Sequence, residues 1–149
     1  MRFRRPLPPV ALLLAIILLA VVHFLLPGRR ILTYPANLVG LLPLAVGVYL
    51  NLAADRLLKR HHTTVKPFQE STALLTKGVY GHTRNPMYLG FVFFLLGIAF
   101  LLGSTGPLVI VALFPVLINL MYIRAEETML RDRFGDEWVA YQARVRKWL

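Results

Sequence analysis

Four long apolar blocks constrain the fold of this chain more than any other feature of its sequence. They cover residues 8–27, 34–54, 87–103 and 107–123. A helix needs about 20 apolar residues to cross the hydrocarbon core of a bilayer, because each residue adds about 1.5 Å along the axis. The pattern therefore predicts an all-α, polytopic integral membrane protein with about four transmembrane helices.

Composition supports this class and excludes several others. The chain is 57% hydrophobic and 16% charged, whereas soluble domains are about 45–50% apolar and about 25% charged. It has no cysteine, which excludes disulfides, thiolate metal sites and a cysteine nucleophile. The net charge of +10 would suit nucleic acid. Because the basic residues flank the apolar blocks, we expect anionic membrane lipids as partners and no nucleic acid.

The distribution of Lys and Arg predicts the orientation of the helices. With four crossings, the amino terminus, the second loop and the tail lie on one side, and they carry every basic residue except Arg29 and Arg30. By the positive-inside rule this side is the cytoplasm, so both termini are predicted to be cytoplasmic. The first block is preceded by MRFRR, which resembles the positively charged start of a signal peptide. Because no small-residue cleavage site comes after it, we predict a span.

Residues 63–90 form the first of two polar segments on this predicted cytosolic side. They are too apolar for a solvated linker and too interrupted for a span, which favours a loop packed on the membrane surface. Asn85 and Pro86 suit the N-cap and first position of a helix, so the third helix is predicted to begin there. Its free N–H groups, with Arg84 beside them, would favour an anion. Equally, these residues suit a well-capped helix start with a topology arginine.

Aromatic and imidazole side chains accompany this segment. Tyr80 and Tyr88 fit either an aromatic belt at the membrane interface or packing on a purine or ribose. His61 and His62 are adjacent but have no third ligand nearby, and His82 is expected at the surface. We therefore predict no metal site.

The second polar segment covers residues 122–145. Glu126 and Glu127 follow the fourth apolar block, where carboxylates oppose the helix dipole, which favours a functional use. The alternative is a solvated ladder of ion pairs with Arg124 and Arg131, which are three or four positions from Glu127.

The chain beyond this glutamate pair predicts a helix break and a further helix. Gly135 suits a left-handed helix end. Trp138, Tyr141 and Val145 then form an apolar stripe beside basic residues. This pattern predicts a C-terminal amphipathic helix lying on the inner leaflet.

Together, the two segments resemble the isoprenylcysteine carboxyl methyltransferase family and its wider phospholipid methyltransferase-like relatives. The resemblance rests on two spaced motifs, Gly78-x-Tyr80-x-x-x-Arg84-Asn85-Pro86-x-Tyr88-x-Gly90 and Glu126-Glu127-x-x-Leu130-x-x-x-Phe134-Gly135-x-x-x-x-x-Tyr141. It implies one membrane methyltransferase-like domain, residues 1–149, in the plasma membrane of a bacterium or an archaeon. It also implies S-adenosylmethionine as cofactor, S-adenosylhomocysteine as product, and carboxyl O-methylation of a lipophilic acceptor taken from the bilayer.

The resemblance also assigns residues by position. Catalytic roles fall on Arg84, Arg124 and Glu127. Asn85 stands where the family usually has histidine, so we expect it to bind cofactor without acting as a base. The eukaryotic enzymes have a substrate-contacting arginine at the position of Tyr122, which leaves the acceptor open. The predicted cofactor-binding residues are Thr72, Ala73, Leu74, Leu75, Tyr80, Asn85, Pro86, Met87, Tyr88 and Glu126.

Two other functional classes fit a small chain with four spans. A transporter usually carries an ionisable residue within the membrane, and the apolar blocks contain only His23. A non-catalytic membrane scaffold is the second alternative, although it would not need the retained tyrosines, arginine and glutamate pair. The oligomeric state is not predicted.

Overall fold

The computed structural model describes residues 7–61 and 73–149. Within these residues all the named secondary-structure elements are helices. This confirms the prediction of an all-α, polytopic membrane protein. A π-helical turn, Asn119–Ile123, joins the fourth and fifth α-helices, and short 3-10 turns cover Ala36–Gly40 and Gly78–Gly81. The α-helices are α1 (Pro8–Leu25), α2 (Leu41–Arg60), α3 (Pro86–Leu102), α4 (Gly106–Ile118) and α5 (Arg124–Arg144).

Among the described residues, three helical stretches are long and apolar enough to cross a membrane: Pro8–Leu25, Ala36–Arg60 and Gly106–Arg144. The third predicted span, α3, is as apolar but has only 17 residues, the lower end of the usual range. In the stretch from Gly106, the continuous apolar block ends at Ile123, and charged residues begin at Arg124. The charged helix α5 therefore lies beyond the membrane-spanning part.

Helix α2 continues past the end of its apolar block. The sequence predicted a span ending at Ala54, whereas the helix runs to Arg60. An ion pair between Asp55 and Lys59, with Nζ 2.6 Å from Oδ2, joins successive turns of this extension. Basic residues in the last turn also match the negative end of the helix dipole. The extension carries Leu58 to the region where α3 begins.

Helices α2 and α3 are antiparallel and touch through glycines. A Cβ added to Gly47 would lie 2.6 Å from the carbonyl oxygen of Gly90, and one added to Gly97 would lie 2.7 Å from that of Gly40. Larger residues would force the two backbones apart, as in other membrane helix pairs that pack through small residues. The contact holds the start of α3 against the end of α2.

Two hydrophobic clusters stabilise the chain. The first joins α1, α3 and α4 around Leu19, Leu95 and Ile118. The second forms where α5 departs from helical geometry at Gly135, with φ 48°. There the side chains of Trp138 and Tyr141 are 1% and 2% exposed.

The apolar stripe of the C-terminal helix is therefore buried inside the protein. The sequence predicted that this stripe faces the inner leaflet, whereas it packs against the protein's own side chains. The break at Gly135 lets the second half of α5 pack back, and a hydrogen bond from Arg131 to Gln142 joins the two halves. Leu74, from the segment before α3, completes the packing around the stripe.

Candidate functional site

A cleft of about 480 Å³, counted out to its open mouth, lies where the end of α2, the segment before α3 and both halves of α5 meet. The structure brings most of the predicted site residues to this cleft. The predicted residues that line it are Ala73, Leu74, Leu75, Tyr80, Arg84, Asn85, Glu126 and Glu127.

The other predicted residues lie elsewhere. Pro86, Met87 and Tyr88 form the first turn of α3, directly after Asn85. Arg124 is exposed on α5 and does not line the cleft. Thr72 lies outside the described residues.

The start of α3 is where the sequence placed it, but its capping differs. Pro86 is the first helical residue, and the Asn85 side chain makes no cap hydrogen bond. Instead, Asn85 Nδ2 donates to the carbonyl oxygen of Lys147 at 3.0 Å, and its N–H donates to Thr83 Oγ1 at 3.2 Å. The first-turn N–H groups of α3 therefore have no side-chain acceptor on the N-cap residue, which leaves an anion-favouring helix end.

Glu126 is held from the first turn of α3. Tyr88 donates its hydroxyl hydrogen to Glu126 Oε1 across 2.6 Å, and the ring of Tyr88 stacks on that of Tyr122 with centroids 6.2 Å apart. Burial raises the pKa of Glu126, the bond from Tyr88 lowers it and the charge of Glu127 raises it, so that the pKa lies at about 7. The Glu126 carboxyl group therefore titrates close to neutral pH.

Glu127 lies between two cations. Its Oε1 is 3.3 Å from Arg84 Nη1, and its Oε2 is 2.9 Å from Lys147 Nζ. The sequence offered a solvated ladder within one helix as an alternative. Both of these partners come instead from outside α5, and the side chains of Arg84 and Glu127 are only 8% and 15% exposed. Glu127 thus joins three segments of the chain.

Several buried donors at the cleft have no hydrogen-bond partner among the described residues: Tyr80 OH, Arg84 Nε and Trp138 Nε1. The Arg84 guanidinium lies over the Trp138 ring, 5.7 Å from its centroid. Burial raises the pKa of Tyr80, so its hydroxyl stays protonated. A buried donor without a partner costs about 1–3 kcal/mol and is commonly satisfied by a ligand or water. These donors suit a ligand that carries acceptors.

Sequence reasoning did not assign some of these residues to the site. Trp138 and Tyr141 were interpreted as membrane contacts, whereas Tyr141 donates a hydrogen bond to the Tyr80 carbonyl oxygen at 2.7 Å. The signal for Tyr141 was its place in the second motif. Lys147 had no local signal, because its partner Glu127 is a full helix away in the sequence.

Comparisons with known proteins agree on one class of enzyme. A family model described as phospholipid methyltransferase matches residues 36–137. Two relatives are named protein-S-isoprenylcysteine O-methyltransferase. The one from Schizosaccharomyces pombe is 30% identical over 84 residues, 56% of this chain and 36% of the relative. The one from Saccharomyces cerevisiae is 32% identical over 140 residues, 88% of this chain and 58% of the relative.

A third relative is an uncharacterized protein of Haemophilus influenzae, 40% identical over 63 residues, which are 42% of this chain and all of that protein. No solved structure matches the chain. The chain thus spans little more than half of one yeast relative and about a third of the other.

Proposed function

The chain belongs to the phospholipid methyltransferase family, and on that premise we propose that it methylates a lipophilic acceptor with S-adenosylmethionine at the cytosolic membrane surface. One observation carries the proposal: the cleft combines the Glu126 carboxyl group with unpartnered donors on Tyr80, Arg84 and Trp138. The donor molecule carries a carboxylate, an amino group and a nucleoside. S-adenosylmethionine thus offers acceptors for these donors and a cation for Glu126.

Each part of the methyl donor has a complementary group in the cleft. We assign its carboxylate to Arg84 and the uncapped start of α3, where a positive field favours an anion. Glu126 suits the amino group or the ribose hydroxyls. The apolar side chains of Leu74 and Leu75, with the Tyr80 ring, suit the adenine. We propose residues 1–149 as one domain with both termini in the cytosol.

The residues have little covalent chemistry to perform. S-adenosylmethionine supplies a methyl group on a sulfonium, and an acceptor oxygen forms its C–O bond as the S–C bond breaks, leaving S-adenosylhomocysteine. The protein must align the two reactants and exclude water. The names of the yeast relatives favour an oxygen acceptor, and the family resemblance favours a carboxylate oxygen, which needs no general base. We propose that Arg84 and Glu127 serve the reaction by positioning the methyl donor, while the catalytic role of the exposed Arg124 stays a prediction.

Calorimetric titration of S-adenosylhomocysteine into detergent-purified protein tests the proposal. We expect the unaltered protein to bind and Arg84→Met to bind about 10- to 100-fold more weakly, because charged hydrogen bonds contribute about 1.5–3 kcal/mol. Arg60→Met is the matched control, since this arginine is exposed and outside the cleft, and the variant should bind S-adenosylhomocysteine with unchanged affinity. Absence of binding by the unaltered protein would overturn the cofactor assignment.

A second measurement separates an enzyme from the alternatives. Incubation with a methyl-labelled donor and a total lipid extract should transfer label to a lipid-phase product. A scaffold would bind the donor without transfer, and a transporter would move a solute across liposomes without consuming it. Neither result is expected.

Affinity for S-adenosylhomocysteine should depend on pH through Glu126. The folded protein holds the pKa of this group at about 7, above its ordinary 4.5, so the carboxylate predominates above neutral pH and the acid below it. Because the charged form is the one that accepts from an amino group, affinity should be full near pH 8. It should fall by up to about tenfold between pH 7 and pH 6 and level off at the affinity of the protonated form. Titrations from pH 6 to 8.5 test this, and the same slope in Glu126→Gln would contradict it.

A further inference from the structure

The last residues of the chain are tied to the start of α3. The N–H of Arg84 donates to the carbonyl oxygen of Arg146 at 2.9 Å. The next carbonyl, that of Lys147, accepts from Thr83 Oγ1 at 3.1 Å and from Asn85 Nδ2 at 3.0 Å. The Trp148 side chain packs against the cluster between α1, α3 and α4. These contacts set the position of the Lys147 side chain.

The Lys147 ammonium group bridges two helical segments from a place outside the cleft. Its Nζ is 2.9 Å from Glu127 Oε2 and 3.2 Å from Asn119 Oδ1, in the π-helical turn. Glu127 lines the cleft and Lys147 does not. Glu127 therefore stands between the ammonium group and the cleft.

This arrangement leaves Arg84 without the pairing that a buried arginine usually makes. An arginine beside a carboxylate commonly forms two parallel N–H···O bonds with it. Here Arg84 Nη1 is 3.3 Å from Glu127 Oε1, yet neither Nη1 nor Nε makes a hydrogen bond to a described residue. The second carboxylate oxygen is taken by Lys147. With its carboxylate held by Lys147, Glu127 makes no two-bond pair with Arg84.

We propose that Lys147 is a positioning residue that holds Glu127 away from a two-bond pair with Arg84, and so keeps the guanidinium donors free for the carboxylate of the methyl donor. The inference rests on the proposed function, because it assigns the ligand of Arg84. Without the ammonium group, Glu127 would be left with Arg84 as its cation, and the two would close into the common paired geometry. The loss of affinity would therefore affect only ligands that carry the carboxylate.

Two ligands and three variants test this role by calorimetry. S-adenosylhomocysteine carries the carboxylate, and its decarboxylated analogue keeps the nucleoside, the thioether and the amino group. We expect Lys147→Met to weaken S-adenosylhomocysteine binding about tenfold, a loss of one charge-assisted bond, and to leave the analogue unchanged. Lys147→Arg should restore most of the affinity. Arg146→Met is the matched control, since that side chain is exposed in the same segment and should change neither affinity.

The outcomes separate this role from a structural one. Equal weakening of both ligands would make Lys147 only a tether of the tail and overturn the inference, as would unchanged affinity for both. Thermal unfolding of each variant shows whether it is folded, and the arginine variant keeps the comparison if the methionine variant is not. If the unaltered protein binds neither ligand, it is the proposed function that fails.

Discussion

Glu126→Gln is expected to weaken S-adenosylhomocysteine binding by about 10- to 100-fold and to slow methyl transfer by a similar factor at donor concentrations well below saturation of the unaltered protein. The amide has the size of the carboxyl group but no charge, and charged hydrogen bonds contribute about 1.5–3 kcal/mol. Glu126 is also tied to the first turn of α3 by the 2.6 Å bond from Tyr88. The substitution therefore alters both the ligand contact and its support.

The measurement is calorimetric titration at pH 8, where the carboxylate form of Glu126 predominates. Glu137→Gln makes the same chemical change on an exposed residue of α5 outside the cleft, and it should bind normally. Normal affinity in Glu126→Gln would remove this carboxylate from the cofactor site. The cleft would then need another partner for the amino group.

Gly47→Leu is expected to prevent folding. All three atoms nearest to an added Cβ are backbone atoms of α3: the carbonyl oxygen of Gly90 at 2.6 Å, the nitrogen of Phe94 at 2.7 Å and its Cα at 3.0 Å. Backbone atoms cannot rotate away as a side chain can. The two helices would have to separate, which would remove the contact that holds the start of α3 beside α2. Overpacking of this kind costs about 1–3 kcal/mol, and the lost helix contact adds to it.

Size-exclusion chromatography and thermal unfolding in detergent measure this effect. Ala45→Leu enlarges an exposed residue of the same helix, where the side chain meets lipid or detergent, and should leave the unfolding temperature unchanged. A monodisperse Gly47→Leu protein with the unfolding temperature of the unaltered chain would show that α2 and α3 do not pack through this glycine. Loss of S-adenosylhomocysteine binding should accompany loss of folding.

Local patterns predicted the starts of α1, α3 and α4, whereas α2 begins at Leu41, after a 3-10 turn and not at the start of its apolar block. Pro86 opens α3 because its ring suits the first helical position, and this preference depends on adjacent residues only. The use of Asn85 was not predictable from its neighbours. Its side chain turns from the helix end to a carbonyl 62 residues away in the chain. The amphipathic stripe of α5 was visible, but its burial against Leu74 depends on a segment far from it in the sequence.

The sequence by itself determined the membrane class, the helical fold and the family. In lipid every backbone polar group must be satisfied within the protein, so long apolar blocks allow few structures other than helices. The two spaced motifs that indicate the family can be read in the sequence without knowledge of the tertiary structure. Only the tertiary structure decided which charges meet: Glu127 pairs with Arg84 and Lys147 although helical spacing favoured Arg124 and Arg131. The physical reason is that hydrogen bonds form only within a few ångströms and Coulomb attraction weakens with distance, and the packing of α2, α3 and the tail sets those distances.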